Sequence, residues 1–284
     1  WSWRRRCDRE DDVTGEMVDW AALPVPGLCI LATTLVYALL VRWLFRWRLD
    51  WRLCWVAFLA TGLAVGLIIG SFFVGALGQS LAPYAMAELQ GATTLSGMFR
   101  LALLYAALPE EAVKIGVAVI LLLLASRWQR SRSDPAELLL YGALGFATCE
   151  SLLYVAAAAT VPQFQTHLLG FAALRGIFGG LLHGLLAMVA GFFLAWRWQS
   201  AQRWLWLLIA YAVAVLLHAA FDGSLLHLVL VSIKAANSDL ASTAAVPELM
   251  SFLVSAALLL LLGLVGLFGS RRLGRSVAPP VPAF

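Results

Sequence analysis

Seven apolar stretches, at about 23–41, 53–77, 95–125, 137–160, 168–196, 204–233 and 247–269, alternate with short polar connections. Each approaches or exceeds the roughly 20 residues that carry an α-helix across a bilayer core. The runs are continuously apolar and do not alternate with polar residues, which argues against the other spanning architecture, a β-barrel. The pattern predicts an all-α, polytopic membrane bundle of about seven transmembrane helices over 21–270. A polar, mixed-charge arm over 1–20 precedes it, and a basic, proline-rich tail over 271–284 follows.

Two local signals refine this outline. The third stretch is long for one simple crossing, and Pro109 interrupts it just before Glu110 and Glu111. Proline and acids in a first turn are helix-start signals. The reading is a short piece over 95–108 followed by a fresh helix whose amino end faces both carboxylates. Glycines at four-residue spacing, Gly62, Gly66 and Gly70, then Gly176, Gly180 and Gly184, mark close helix approach.

Composition agrees with a membrane protein: 62% of residues are hydrophobic and 13% charged, with a mean hydropathy of +0.86. The net charge of +4 matters less than its placement. Basic residues gather at Arg42, Arg46, Arg48 and Arg52, at Arg127, Arg130 and Arg132, at Arg197 and Arg203, and at Arg271, Arg272 and Arg275. The intervening connections nearly lack Lys and Arg, so the positive-inside rule puts the N-terminus outside and the C-terminus in the cytoplasm. A bilayer partner therefore explains the basic balance better than a nucleic acid does. Cys7, Cys29, Cys54 and Cys149 show no disulfide or zinc-knuckle spacing.

Against this background the ionisable residues near the middles of the spans stand out: Glu110, Glu111 and Lys114, then Glu150, then His183, then His218 and Asp222. A charged group at a helix centre costs about 2.5–3.5 kcal/mol by insertion scales, so such residues mark a reaction or transport centre. Helical spacing pairs them. Lys114 is i+4 from Glu110 and i+3 from Glu111, Tyr154 is i+4 from Glu150, and Asp222 is i+4 from His218. The aspartate is placed to orient the imidazole. Carboxylates and imidazoles at one depth are the parts of a hydrolytic site. Two arrangements serve: a water activated by Glu110 or Glu111, or zinc held by His183, His218 and a carboxylate such as Glu150, with a second carboxylate as base. Arg175 reads as snorkelling or salt-bridged near an outer helix end. His167, His227 and Cys149 are left outside the site.

Glu110-Glu111-Ala112-Val113-Lys114 resembles the EExxK motif of the PrsW-type intramembrane proteases. Glu150 with Tyr154, then His183, then His218 with Asp222 resemble the later motifs in the same order, over roughly 95–225. The resemblance implies a membrane-embedded endopeptidase related to CAAX-processing and bacteriocin-processing enzymes, often described as metalloproteases. In that wider group paired glutamates activate water, and the last histidine with its i+4 partner stabilises the oxyanion. The implied substrate is a single-span membrane protein such as an anti-sigma factor, and the implied location a bacterial cytoplasmic membrane. The protease core then lies at about 95–233. The residues alone leave a second class open, a proton-coupled transporter using the same groups as a relay. A third is a scaffold binding other helices through its glycines.

Overall fold

The computed structural model describes residues 23–45, 49–74, 94–124, 133–160, 165–236 and 246–275. Every regular element among them is helical: α1 Pro24–Phe45, α2 Trp51–Val74, α3 Leu95–Ala102, a π-helical segment Leu103–Ala107, α4 Leu108–Leu124, α5 Asp134–Ala159, α6 Leu168–Arg197, α7 Arg203–Ala236 and α8 Val246–Arg275. Five of these, α1, α5, α6, α7 and α8, are long and apolar enough to cross a membrane, and α2 contributes a shorter apolar helix. The protein is an all-helical integral membrane bundle. The polar arm expected over 1–20 lies outside the described residues, as does the tail from 276 on. The first part of the expected tail is helical, because α8 continues to Arg275.

Local chemistry sets the helix starts. Asp50 accepts a hydrogen bond from the Arg52 backbone at 2.8 Å ahead of α2. Thr94 caps α3 by accepting from the Gly97 N–H at 3.2 Å, and Pro135 occupies the first turn of α5. The largest departure from the sequence reading is at Pro109. The chain does not restart there; it is helical from Leu95 to Leu124, and the Leu108 N–H bonds to the Leu103 carbonyl in a widened π turn. A proline removes one N–H and crowds the carbonyl four residues back. A π turn absorbs that defect by shifting the bonding register without opening the helix. Among the described residues no helix N-terminus therefore faces Glu110 and Glu111, and their positive partners must be side chains.

α5 is the centre of the bundle: 78% of its apolar window is buried, against 17% for α8. It packs on α6, α2, α4 and α1. Glycine permits the closest approach. A Cβ on Gly145 of α5 would strike the Phe58 backbone carbonyl of α2. Facing it, Gly62 of α2 lies against the Gly145 carbonyl, and a Cβ added there would fall 3.2 Å from that oxygen. On α6, Gly176 and Gly180 face Thr33 and Tyr37 of α1, whereas Gly184 faces Leu140 of α5. The second glycine row therefore serves two neighbours, because successive i+4 steps drift around a 3.6-residue helix. The packing of Gly66 and Gly70 lies outside the described side chains.

At one end of α6 and α7, Arg197 lies over Trp196 at 4.3 Å and Trp206 at 5.3 Å. At the matching end of α1, Arg42 lies over Trp51 at 4.8 Å. Arginine stacked on tryptophan is the arrangement expected where a bundle meets the membrane–water interface.

Candidate active site

Four helices, α4 to α7, bring the midspan residues together. Lys114 is the hub. Its ammonium donates to Glu111 Oε1, lies 2.9 Å from His183 Nδ1 and 4.0 Å from Glu110 Oε2. It also sits 4.5 Å above the Phe146 ring. Lys114 is 1% exposed, so a charge buried this deeply is tolerated only because it is surrounded by partners.

The two histidines face each other edge to face, with ring centroids 5.4 Å apart. His183 Nε2 lies 3.0 Å from Glu150 Oε2. With the Lys114 ammonium donating to Nδ1, the ring proton belongs on Nε2, which donates to Glu150. His218 Nδ1 donates to Glu111 Oε1 at 2.9 Å. On its other side, His218 Nε2 lies 3.2 Å from Asp222 Oδ2 and 3.7 Å from Glu110 Oε2. Asp222 thus holds the imidazole from its own helix, at the i+4 spacing read from the sequence.

The paired glutamates differ in their surroundings. Glu111 Oε1 accepts from both Lys114 and His218. Glu110 Oε2 is buried and has no hydrogen-bond partner among the described residues. A buried carboxylate oxygen without a donor is costly unless a water, proton or cation completes it. Glu110, His183 and His218 each offer one ligand atom, and these atoms lie within 4.8 Å of one another. One carboxylate and two imidazoles form a donor set that zinc accepts, and the orphaned Glu110 oxygen supplies a free lone pair; His183 would join such a set only on giving up its bond to Lys114 or Glu150. The carboxylate in this group is Glu110. Glu150, expected from the sequence as the third ligand, lies 3.0 Å from His183 Nε2 and 2.9 Å from Arg175 Nη2.

Three residues in the site were not assigned to it from sequence. Phe146 forms its floor, under Lys114 and 5.0 Å from the His183 ring; its i−4 spacing from Glu150 was the available signal. Tyr211 of α7 donates to the Leu108 carbonyl at 2.9 Å, steadying the backbone next to Pro109. Arg175 Nη2 lies 2.9 Å from Glu150 Oε2, and its guanidinium covers the Tyr154 ring at 4.1 Å. Tyr154 itself is 48% exposed and forms part of the rim.

A buried Glu–His–Lys–Asp network thus lies at the crossing of four apolar helices. The chain belongs to the PrsW family of intramembrane metalloproteases, whose family model matches residues 49–258. The match extends on both sides of the motif-bearing segment, taking in α2 and the first half of α8. Neither the comparison with curated proteins nor that with solved structures returns a match.

Proposed function

We propose that this intramembrane protease hydrolyses a peptide bond of a single-span membrane protein, such as an anti-sigma factor, with Glu110 as the base. The observation that carries the assignment is the contrast between the glutamates: Glu111 is bonded to Lys114 and His218, while Glu110 Oε2 is buried without a partner among the described residues. A water between Glu110 Oε2 and His218 Nε2 has a proton acceptor on one side and an imidazole on the other. Glu110 takes the proton of that water as its oxygen attacks the scissile carbonyl, and returns it to the leaving amine. His218, oriented by Glu111 and Asp222, steadies negative charge on the carbonyl oxygen. His183 and Glu150 form the opposite wall, positioned by Lys114. In the alternative arrangement Glu110, His183 and His218 would together hold a divalent ion, zinc being the one that suits this donor set, and a second carboxylate would serve as the base. Such an ion supplies Lewis-acid stabilisation of developing negative charge.

Seven membrane crossings accompany this reading, with the rod α3–π–α4 as the third. The core lies at about 95–233, between an N-terminal arm and a C-terminal tail. The Arg-rich connections support a cytoplasmic C-terminus, and the family resemblance supports a bacterial membrane.

The test uses the full chain in lipid nanodiscs with a panel of single-span reporter proteins and metal analysis of the same samples. Cleavage by the wild type and none by Glu110→Gln is expected, with about one zinc per chain that His218→Ala loses. Folded Glu110→Gln protein that cleaves normally sinks the mechanism. Proton-coupled flux in proteoliposomes without cleavage of any reporter replaces the protease reading with the transporter.

A further inference from the structure

Arg175 lies on α6 eight residues before His183, about two helical turns away on the same face. An arginine within a membrane span is retained only where partners hold it. Its partners are Glu150, 2.9 Å from Nη2, and the Tyr154 ring, 4.1 Å below the guanidinium. Neither uses up its donors. Nε and Nη2 are both buried and have no hydrogen-bond acceptor among the described residues, so the close Glu150 contact is an ion pair not aligned as a hydrogen bond. The Arg175 side chain is 28% exposed and that of Glu150 11%. The Arg175 side chain therefore lies nearer the open side than Glu150, with its Nε and Nη2 just beneath the surface.

A peptide bond within a membrane can be cleaved only after its segment leaves the helix. The unwound stretch then presents carbonyl oxygens that water does not reach and that need protein donors. Around the site, Lys114 and both histidines are already committed to carboxylates. Arg175 has unfilled donors on a partly exposed side chain next to Glu150.

We propose that Arg175 is a substrate-binding residue. Its guanidinium donates to a main-chain carbonyl oxygen of the unwound segment, which gains the buried, unpaired Nε–H and Nη2–H by displacing the groups now packed over them, with the guanidinium plane fixed by Glu150 and Tyr154. This deepens the protease reading and rests on it. Glu150 already balances the arginine's charge, so a neutral carbonyl suits the position better than a carboxylate. Because the recognised group is main chain, recognition does not require a particular side-chain sequence.

The probe is a fluorescent single-span peptide of Leu and Ala interrupted at its centre by Gly-Ser-Gly, added to the full chain in nanodiscs. Binding is measured in a Glu110→Gln background, and kinetics in the active protein. Arg175→Gln is expected to weaken binding about ten- to hundredfold, the loss of hydrogen bonds from a charged donor. It raises KM more than it lowers kcat. Arg175→Lys keeps the ion pair but not the planar fork, so it restores thermal stability without restoring binding. Arg175→Gln protein that binds the probe as tightly as its parent overturns the proposal. So does a parent that binds no probe, or an Arg175→Lys variant that restores binding in full. Arg175-dependent binding without cleavage by the active protein instead counts against the protease reading and leaves the binding role standing.

Discussion

His218 Nδ1 donates to Glu111 Oε1 at 2.9 Å, tying α7 to α4 across 107 residues of sequence. The same oxygen accepts from Lys114, whereas the neighbouring Glu110 Oε2 has no hydrogen-bond partner among the described residues. Adjacent glutamates should therefore respond differently to the same substitution. Glu110→Gln is expected to lower kcat by about 10²–10⁴ while leaving the melting temperature near that of the wild type. Glu111→Gln is expected to lower both, because it turns an amide toward the buried lysine. Reporter cleavage and thermal unfolding on the same preparations decide it; equal stability losses in the two variants would refute the division.

Asp222 touches His218 Nε2 at 3.2 Å and is the part of the network nearest the open side, with 26% of its side chain exposed. Asp222→Asn keeps the shape but removes the charge that orients the imidazole. A loss of about 10–100-fold in kcat/KM is expected, the usual cost of removing a histidine's carboxylate partner. Because the position is partly open, the fold should be unaffected. A circular-dichroism melt unchanged alongside an unchanged kcat/KM would show that the aspartate does not act through His218.

Lys114 compensates buried carboxylates, and removing one partner of a buried pair is strongly destabilising. Lys114→Met is expected to cost about 3–5 kcal/mol. Adding Glu111→Gln to it should recover part of that loss, since the pair is then removed as a whole. Unfolding of the single and double variants in detergent measures the coupling. A double variant less stable than Lys114→Met alone would contradict the pairing.

Helix approach yields a prediction independent of the chemistry. In Gly145→Ala the new methyl meets the Phe58 backbone carbonyl, which cannot swing away. A destabilisation of about 1–3 kcal/mol is expected from such overpacking. Gly116→Ala provides the contrast, because nothing among the described residues lies within 4 Å of the added carbon. There alanine should stabilise α4 by up to about 1 kcal/mol. Thermal unfolding of both variants gives the comparison.

Much of the site was legible because helical spacing is a local property. Glu110 with Lys114 and His218 with Asp222 are i, i+4 pairs, and each is in contact in the folded chain. Pro109 misled for a related reason. Its local chemistry is that of a helix start, but a π turn offered a cheaper solution within a packed bundle. The grouping of Glu110 with the histidines could not be read at all, since it depends on how α4, α6 and α7 are rotated about their axes.

By itself the sequence determined that this is a helical membrane protein with ionisable groups at the depth of its spans. Hydrophobic run length and i+4 spacing are one-dimensional properties, and the cost of charge in lipid makes their exceptions conspicuous. The tertiary structure decided which carboxylate is engaged and which is free, and that Glu150 pairs with His183 and Arg175. It also placed Phe146 beneath the lysine. Those relationships depend on contacts between helices distant in sequence, where a rotation of one helix by a single residue, about 100°, exchanges every partner.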